Sequence, residues 1–273
     1  MPGTHRATHI AALATLLLAP LWLGACAISQ QQEVELGASS AAQVSKELPL
    51  VHDPTVTRYI TALGRQLAAA TDTRGLTWTF TVVDTKEVNA FALPGGWIYV
   101  NRGLIERTST MSELAGVLAH EIGHVTRRHS VQQLQQLQGA NLGVSLLCTL
   151  TKSCESGVSH EAISIGGSAL FAKFSRDDET EADAEAVATT VKAGISPRGI
   201  PGMFRVLLGE RQRSPNAVDA FFATHPLEES RIRAAEGRIA TYPAATINRL
   251  TIDTPAYRAF RARLRALPPS PSS

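Results

Sequence analysis

Cysteine is scarce in this chain, with three in 273 residues, at Cys26, Cys148 and Cys154. Charge of one sign is scarce too: 26 Lys and Arg against 24 Asp and Glu leave a formal net charge of +2. That balance, with the basic residues dispersed, excludes nucleic acid as a partner. Past Cys26 no apolar run approaches the roughly 20 residues of a spanning helix, and Leu142 to Leu150 is far too short. No internal repeat is visible, and nothing after His225 is long enough for a helical repeat domain. Hydrophobic residues still make up 44% of the chain, which supports one core of ordinary size once the leader is set aside.

The leader has a recognisable plan. Met1 to His9 carry Arg6 as the only fixed charge, and Ile10 to Leu23 are apolar. A short apolar region before small residues reads as a secretory signal over residues 1–25. It ends in Leu23-Gly24-Ala25-Cys26, which resembles a bacterial lipobox. Cleavage would free Cys26 for lipidation, and acyl chains add about 0.8 kcal/mol of membrane affinity per buried CH₂. Ala27 in place of Asp favours the outer membrane. The alternative is an ordinary signal with a Cys at its end. The expected mature protein is periplasmic and lipid-anchored, with residues 26–45 as lipidated Cys and tether. Cys148 and Cys154 then face an oxidising compartment, where a bridge or two free buried thiols are open to them. Neither state implicates catalysis.

The most informative residues are His120-Glu121-Ile122-Gly123-His124. Positions i and i+4 of a helix project together, so His120 and His124 can reach one Zn²⁺. Glu121 is turned about 100° from His120, where it can take a proton from water. Helical context is present. Thr110 and Glu113 form a Thr-x-x-Glu capping box, and Leu114, Val117, Leu118, Ile122 and Val125 recur at helical spacing. Gly116 leaves room for a neighbouring backbone, and Arg127, Arg128 and His129 read as cations closing the helix.

A catalytic zinc needs three protein ligands and an open position. The extended motif with a third His fails, because Arg127 stands at its Gly position and Ser130 at its His position. The run Ser175 to Asp183 is the best source. Ser175 and Asp178 resemble a helix start, and Gly194 with Ser196-Pro197 closes that helix. Glu179 and Asp183 share one face while Glu181 turns away. One carboxylate can bind the metal and the other can hold the N–H of a ligand histidine. The bland alternative is a solvated acidic helix start.

Together, HEIGHVTRRH, SRDDETEAD and NAFALPGGWIYVNRGLI resemble the Ste24-like and HtpX-like zinc metallopeptidases of the gluzincin group. The likeness is nearest to the periplasmic BepA-like and LoiP-like lipoproteins and spans roughly residues 30–240. It implies an α+β, mostly helical zincin-like domain over residues 46–241, with a small β-sheet beside the metal helix. It implies His120, His124 and Glu179 as zinc ligands, Glu121 as catalytic base and Asp183 as the partner of a ligand histidine. The family also places a switch or transition-state donor at His225, in Thr224-His225-Pro226; a loop histidine capping a neighbour is the other reading. Asn89 to Gly95 falls where such enzymes pair with extended substrate, or is a plain sheet edge. The lack of a repeat domain favours the shorter LoiP-like type.

Elsewhere the pattern predicts a helix over Asp53 to Thr71 and a half-buried strand over Leu76 to Val83. Short strands flank Pro94-Gly95-Gly96, and helices lie near Pro201–Arg211 and Leu227–Ala240. Residues 242–273 read as a C-terminal extension with a disordered Pro/Ser tail. The expected function is zinc-dependent endoproteolysis in envelope quality control, on protein or peptide substrates such as unfolded outer-membrane proteins. A chaperone-like assembly factor with latent proteolysis is the rival. Oligomeric state is not legible.

Overall fold

Two-residue alternation builds a small sheet with two apolar faces. The computed structural model describes residues 27–137, 173–226 and 228–271. The expected signal over residues 1–25, the expected lipidation site Cys26, and Cys148 and Cys154 lie outside the described residues. The strand order is β1 (Thr79–Val83), β3 (Trp97–Asn101), β2 (Ala90–Leu93). β1 runs parallel to β3, and β2 antiparallel to it, with the hairpin turning at Pro94-Gly95-Gly96 as its residues predict. Phe80, Val82, Ala90, Ala92, Ile98 and Val100 face the main core. Val83, Leu93 and Tyr99 face the other way.

Helices cover both faces. On the second face lies α1 (Gln30–Glu47), which buries Ala41 and Val44 against Leu93 and Tyr99. The expected tether over 26–45 is therefore helix from Gln30 onward, begun by a capping box of Ser29 and Gln32. On the main face lie α2 (Pro54–Thr71) and, after the short α3 (Arg102–Arg107), α4 (Met111–Thr126). Asp53 caps α2 by accepting from the N–H groups of Thr55 and Val56.

Downstream, α5 (Arg176–Lys192) packs along α4, followed by α6 (Gly199–Arg213), α7 (Pro215–Thr224) and α8 (Glu229–Ala240). The short α9 (Ala244–Ile247) leads to α10 (Pro255–Arg265), which buries Tyr257, Phe260 and Leu264 in the main core. The C-terminal segment is thus part of the same core. Its Pro/Ser tail, expected to be disordered, meets the fold at Pro268 and Ser270. Arg102 Nη1 donates to the Pro268 carbonyl at 2.7 Å, and Ser270 Oγ donates to Asp84 at 2.7 Å.

The outcome is the α+β, mostly helical architecture with a small sheet beside the motif helix. Among the described residues no helix is long and apolar enough to cross a membrane.

Candidate metal centre

The capping box expected at Thr110 and Glu113 starts α4, and Leu114, Leu118 and Ile122 are buried on its core side. This fixes His120 and His124 one turn apart, 3% and 1% exposed. A second capping box, Ser175 with Asp178, starts α5 and sets Glu179 in its first turn. Gly123 lets the two helices meet: a Cβ there would lie 3.1 Å from Cα of Ala182. Gly116 plays the expected part on the side of α6, where a Cβ would lie 2.9 Å from Ile200 Cγ1. At the end of α7, His225 swings into the same space, 1% exposed.

Four donors converge: His120, His124, Glu179 and His225 each offer one atom, all within 4.8 Å of one another. His120 Nε2 lies 3.0 Å from His124 Nε2 and 3.4 Å from His225 Nδ1. Glu179 Oε1 lies 3.0 Å from His225 Nδ1 and 3.4 Å from His124 Nε2. A tetrahedral zinc with ligands about 2.0–2.1 Å away has edges of about 3.3 Å, so these residues fit it. Without a cation, these ring nitrogens must share protons with one another and with Glu179.

Glu121 strengthens the fit. It is fully buried, and neither carboxylate oxygen has a hydrogen-bond partner among the described residues. Orphaned buried acceptors are rare and point to a group that fills the site. His225 Nε2 lies 3.6 Å from its Oε1.

The surrounding residues hold the ligands in place. His120 Nδ1 lies 2.9 Å from Asp183 Oδ1, a bent contact short of ideal hydrogen-bond alignment. Asp183 therefore stands where a partner for a ligand histidine is expected, and Glu181 points to solvent. Arg231 Nε and Nη2 donate to the two oxygens of Asp183 at 2.8 and 2.7 Å, and Nη1 donates to Glu179 and to the Pro226 carbonyl. Phe174 stacks on His124 with ring centroids 3.9 Å apart.

Burial dominates the electrostatics. It pushes the Glu121 carboxyl above its usual range, against the pull of His225 and His120. It also pushes His124 well below the usual imidazole range. For Glu179 burial acts the same way as for Glu121, but His225, then hydrogen bonds from His124 and His225, outweigh it and hold the carboxyl well down. Burial opposes a charge on His225 as well, yet Glu179 and Glu121 lift its pKa above the ordinary value.

One expectation fails. His129 is not a cation at the helix end: it is 1% exposed, and burial pulls its pKa down. Arg128 turns the chain with φ at 62°, which folds His129 back beneath His124. Arg231 and Phe174 carry no role in the sequence reading. A cation five residues after Thr224-His225-Pro226 was the one available hint for Arg231; an aromatic just before a helix cap gives none.

The model of peptidase family M48 matches residues 54–239. A beta-barrel assembly-enhancing protease of Yersinia pestis is 32% identical, over 77% of this chain and 44% of its own length. That of Escherichia coli K12 is 30% identical over 77% and 44%. The metalloprotease YcaL of Escherichia coli K12 is 30% identical over 77% of this chain and 76% of its own length. This chain spans less than half the length of the two assembly-enhancing proteases. With a family match over most of its core and a buried cluster able to hold a metal, the chain belongs to peptidase family M48.

Proposed function

We propose that this chain is a zinc-dependent endopeptidase of the bacterial envelope that acts on misfolded or outer-membrane proteins. The convergence of His120, His124 and Glu179 beside the unpartnered Glu121 carboxylate carries the proposal. When bound, zinc supplies Lewis-acid polarisation of a peptide carbonyl and lowers the pKa of water. Glu121 takes the proton of the attacking water and delivers it to the leaving amine. Burial raises its pKa, which favours a carboxylate that holds the proton before passing it on. Asp183 orients His120, and Arg231 holds both carboxylates in place.

The leader and Cys26 support a periplasmic protein anchored by lipid to the outer membrane. The names of the assembly-enhancing relatives support substrates drawn from β-barrel assembly.

His225 favours a second reading alongside the first. A catalytic zinc keeps an open position, and His225 stands at the fourth corner. That arrangement supports latent proteolysis, with a chaperone-like assembly role while the site is closed.

One experiment covers both readings: zinc content, casein cleavage and envelope rescue for Glu121→Gln and His225→Ala. Glu121→Gln should keep its zinc and lose about 10²–10⁴-fold in rate. Unchanged cleavage by that variant removes the endopeptidase. Full rescue of envelope defects by it favours the assembly role. His225→Ala should speed cleavage if His225 is a lock and slow it by about 10²-fold if it is a donor.

A further inference from the structure

His129 belongs to none of the roles above, yet it touches the centre. Its Nδ1 lies 2.9 Å from Nδ1 of His124, whose Nε2 faces the other ligand atoms. Two ring nitrogens at that distance share one proton. To serve as a ligand, His124 must present a lone pair at Nε2, so the single proton of its neutral ring sits on Nδ1. His124 therefore donates and His129 accepts. The proton of His129 is then on Nε2, toward Glu181 Oε2 at 3.6 Å and Asp178 Oδ1 at 3.8 Å.

We propose that His129 is a positioning residue of the metal centre, an imidazole acceptor that fixes the tautomer and ring orientation of His124. The inference rests on His124 being a zinc ligand, as proposed above. Ligand histidines ordinarily hand their second N–H to a carboxylate, a backbone carbonyl or water. Asp183 Oδ1 occupies that place beside His120, 2.9 Å from its Nδ1. For His124 the same place is taken by a second histidine, so the two imidazoles of the motif are held by groups of different charge.

The chain geometry is built to present it. In an unbroken helix a residue five positions on is rotated about 140° away, and His129 would miss His124. Arg128 prevents that, as the only non-glycine with positive φ among the described residues. A residue in that conformation persists where its surroundings over-determine it. Here Arg128 Nε donates to Glu33 at 2.7 Å and Nη2 donates to the Ile28 carbonyl at 2.5 Å. Glu33 is fully buried on α1 and also accepts from Arg74 Nη1 at 2.9 Å. Phe174 walls the other side of the pair, stacked on His124 and 6.2 Å from the His129 ring centre.

The test reads tautomers and zinc affinity in the full chain. Long-range ¹H–¹⁵N spectra of the zinc-loaded wild type should show His124 protonated at Nδ1 and His129 at Nε2 alone. A His129 ring protonated at Nδ1, or at both nitrogens, overturns the proposal. Dye competition then gives zinc affinity for His129→Phe and His129→Gln, beside the melting temperature of each zinc-free protein. Phe keeps a flat ring without an acceptor, and affinity should fall about 10–100-fold. Gln restores an acceptor and should recover most of the loss. A His129→Phe protein that binds zinc like wild type, or Phe and Gln variants that are equally weak, also overturns it. Wild type and His120→Ala are the controls for the site itself. A wild type without one zinc per chain, or a His120→Ala protein that binds as tightly, removes the metal centre. Normal controls with an unaffected His129→Phe remove only the role of His129.

Discussion

Arg231 is the residue on which the acidic half of the site depends. Glu179 and Asp183 stand one turn apart on α5, 1% and 5% exposed, and two such carboxylates repel unless a cation joins them. Arg231 does so with a bidentate fork on Asp183 and a third contact to Glu179, its guanidinium 4.7 Å above the Phe204 ring. Burial opposes its charge, but Asp183 and Glu179 raise its pKa further still. With its donors so occupied, it is not the free donor a transition state would need. Removing one partner of a buried ion pair costs about 3–5 kcal/mol, because the charge left behind stays buried. Arg231→Met should therefore destabilise the zinc-free protein by about that much in urea unfolding. Arg231→Lys should recover only part of the loss, since a point charge cannot fork. A loss below about 1 kcal/mol for Arg231→Met would mean that the two carboxylates are not held ionised by this cation.

At the scale of elements, the site exists because α4 and α5 come close enough for ligands on both to meet. Gly123 sets that distance against Ala182. A side chain there gains about 1 kcal/mol of helix propensity over glycine, while overpacking a tight contact costs about 1–3 kcal/mol. For a branched side chain the packing cost wins. Gly123→Val should weaken zinc binding tenfold or more (roughly, by loss of ligand geometry) with a modest drop in melting temperature. Zinc binding as tight as wild type would show that α5 does not need this approach. What the sequence made legible follows the same division. The capping boxes at Thr110 and Ser175, the alternation of β1 and the i, i+4 spacings are local, and each appears where its residues put it. Contacts formed only by the fold were not legible: Arg231 reaches back 48 residues to Asp183, and His129 needs the turn at Arg128. The first helix escaped full notice for another reason. Its buried positions are Glu33, Gly37, Ala41 and Val44, a thin stripe of small and charged residues with little hydrophobic signal.

For the whole molecule, the C-terminal segment shows how charge ties a polar helix to an apolar core. Tyr257, Phe260 and Leu264 sit at helical spacing and bury fully, with Phe260 stacked on Tyr59 at 4.5 Å between ring centres. The rest of α10 is basic and is fastened by acids: Arg263 donates to Asp53 at 2.8 Å and Arg258 to Asp253 at 2.6 Å. The hydrogen bond from Arg263 holds the Asp53 carboxyl below its usual range. Burial works against the charge of Asp253, but Arg258 and the Met111 N–H outweigh it. Asp72 is depressed in the same manner, burial being outweighed by the Trp78 indole N–H at 3.0 Å and the N–H groups of Arg74 and Leu76. A carboxylate whose folded pKa lies below its unfolded value binds fewer protons in the folded state. Its contribution is complete above the ordinary value of 3.8 and disappears as pH falls through the folded value. The unfolding free energy of the zinc-free protein should thus fall steadily from about pH 5 downward. Urea titrations across that range measure the slope, and working without zinc keeps metal release out of it. Asp72→Asn should lower stability at pH 6 and flatten the acid slope, because that side chain no longer takes up a proton on unfolding. An unchanged slope in Asp72→Asn would place the acid sensitivity in other carboxylates, whereas a flat profile in wild type would show that none of the three is favoured in its ionised form by folding.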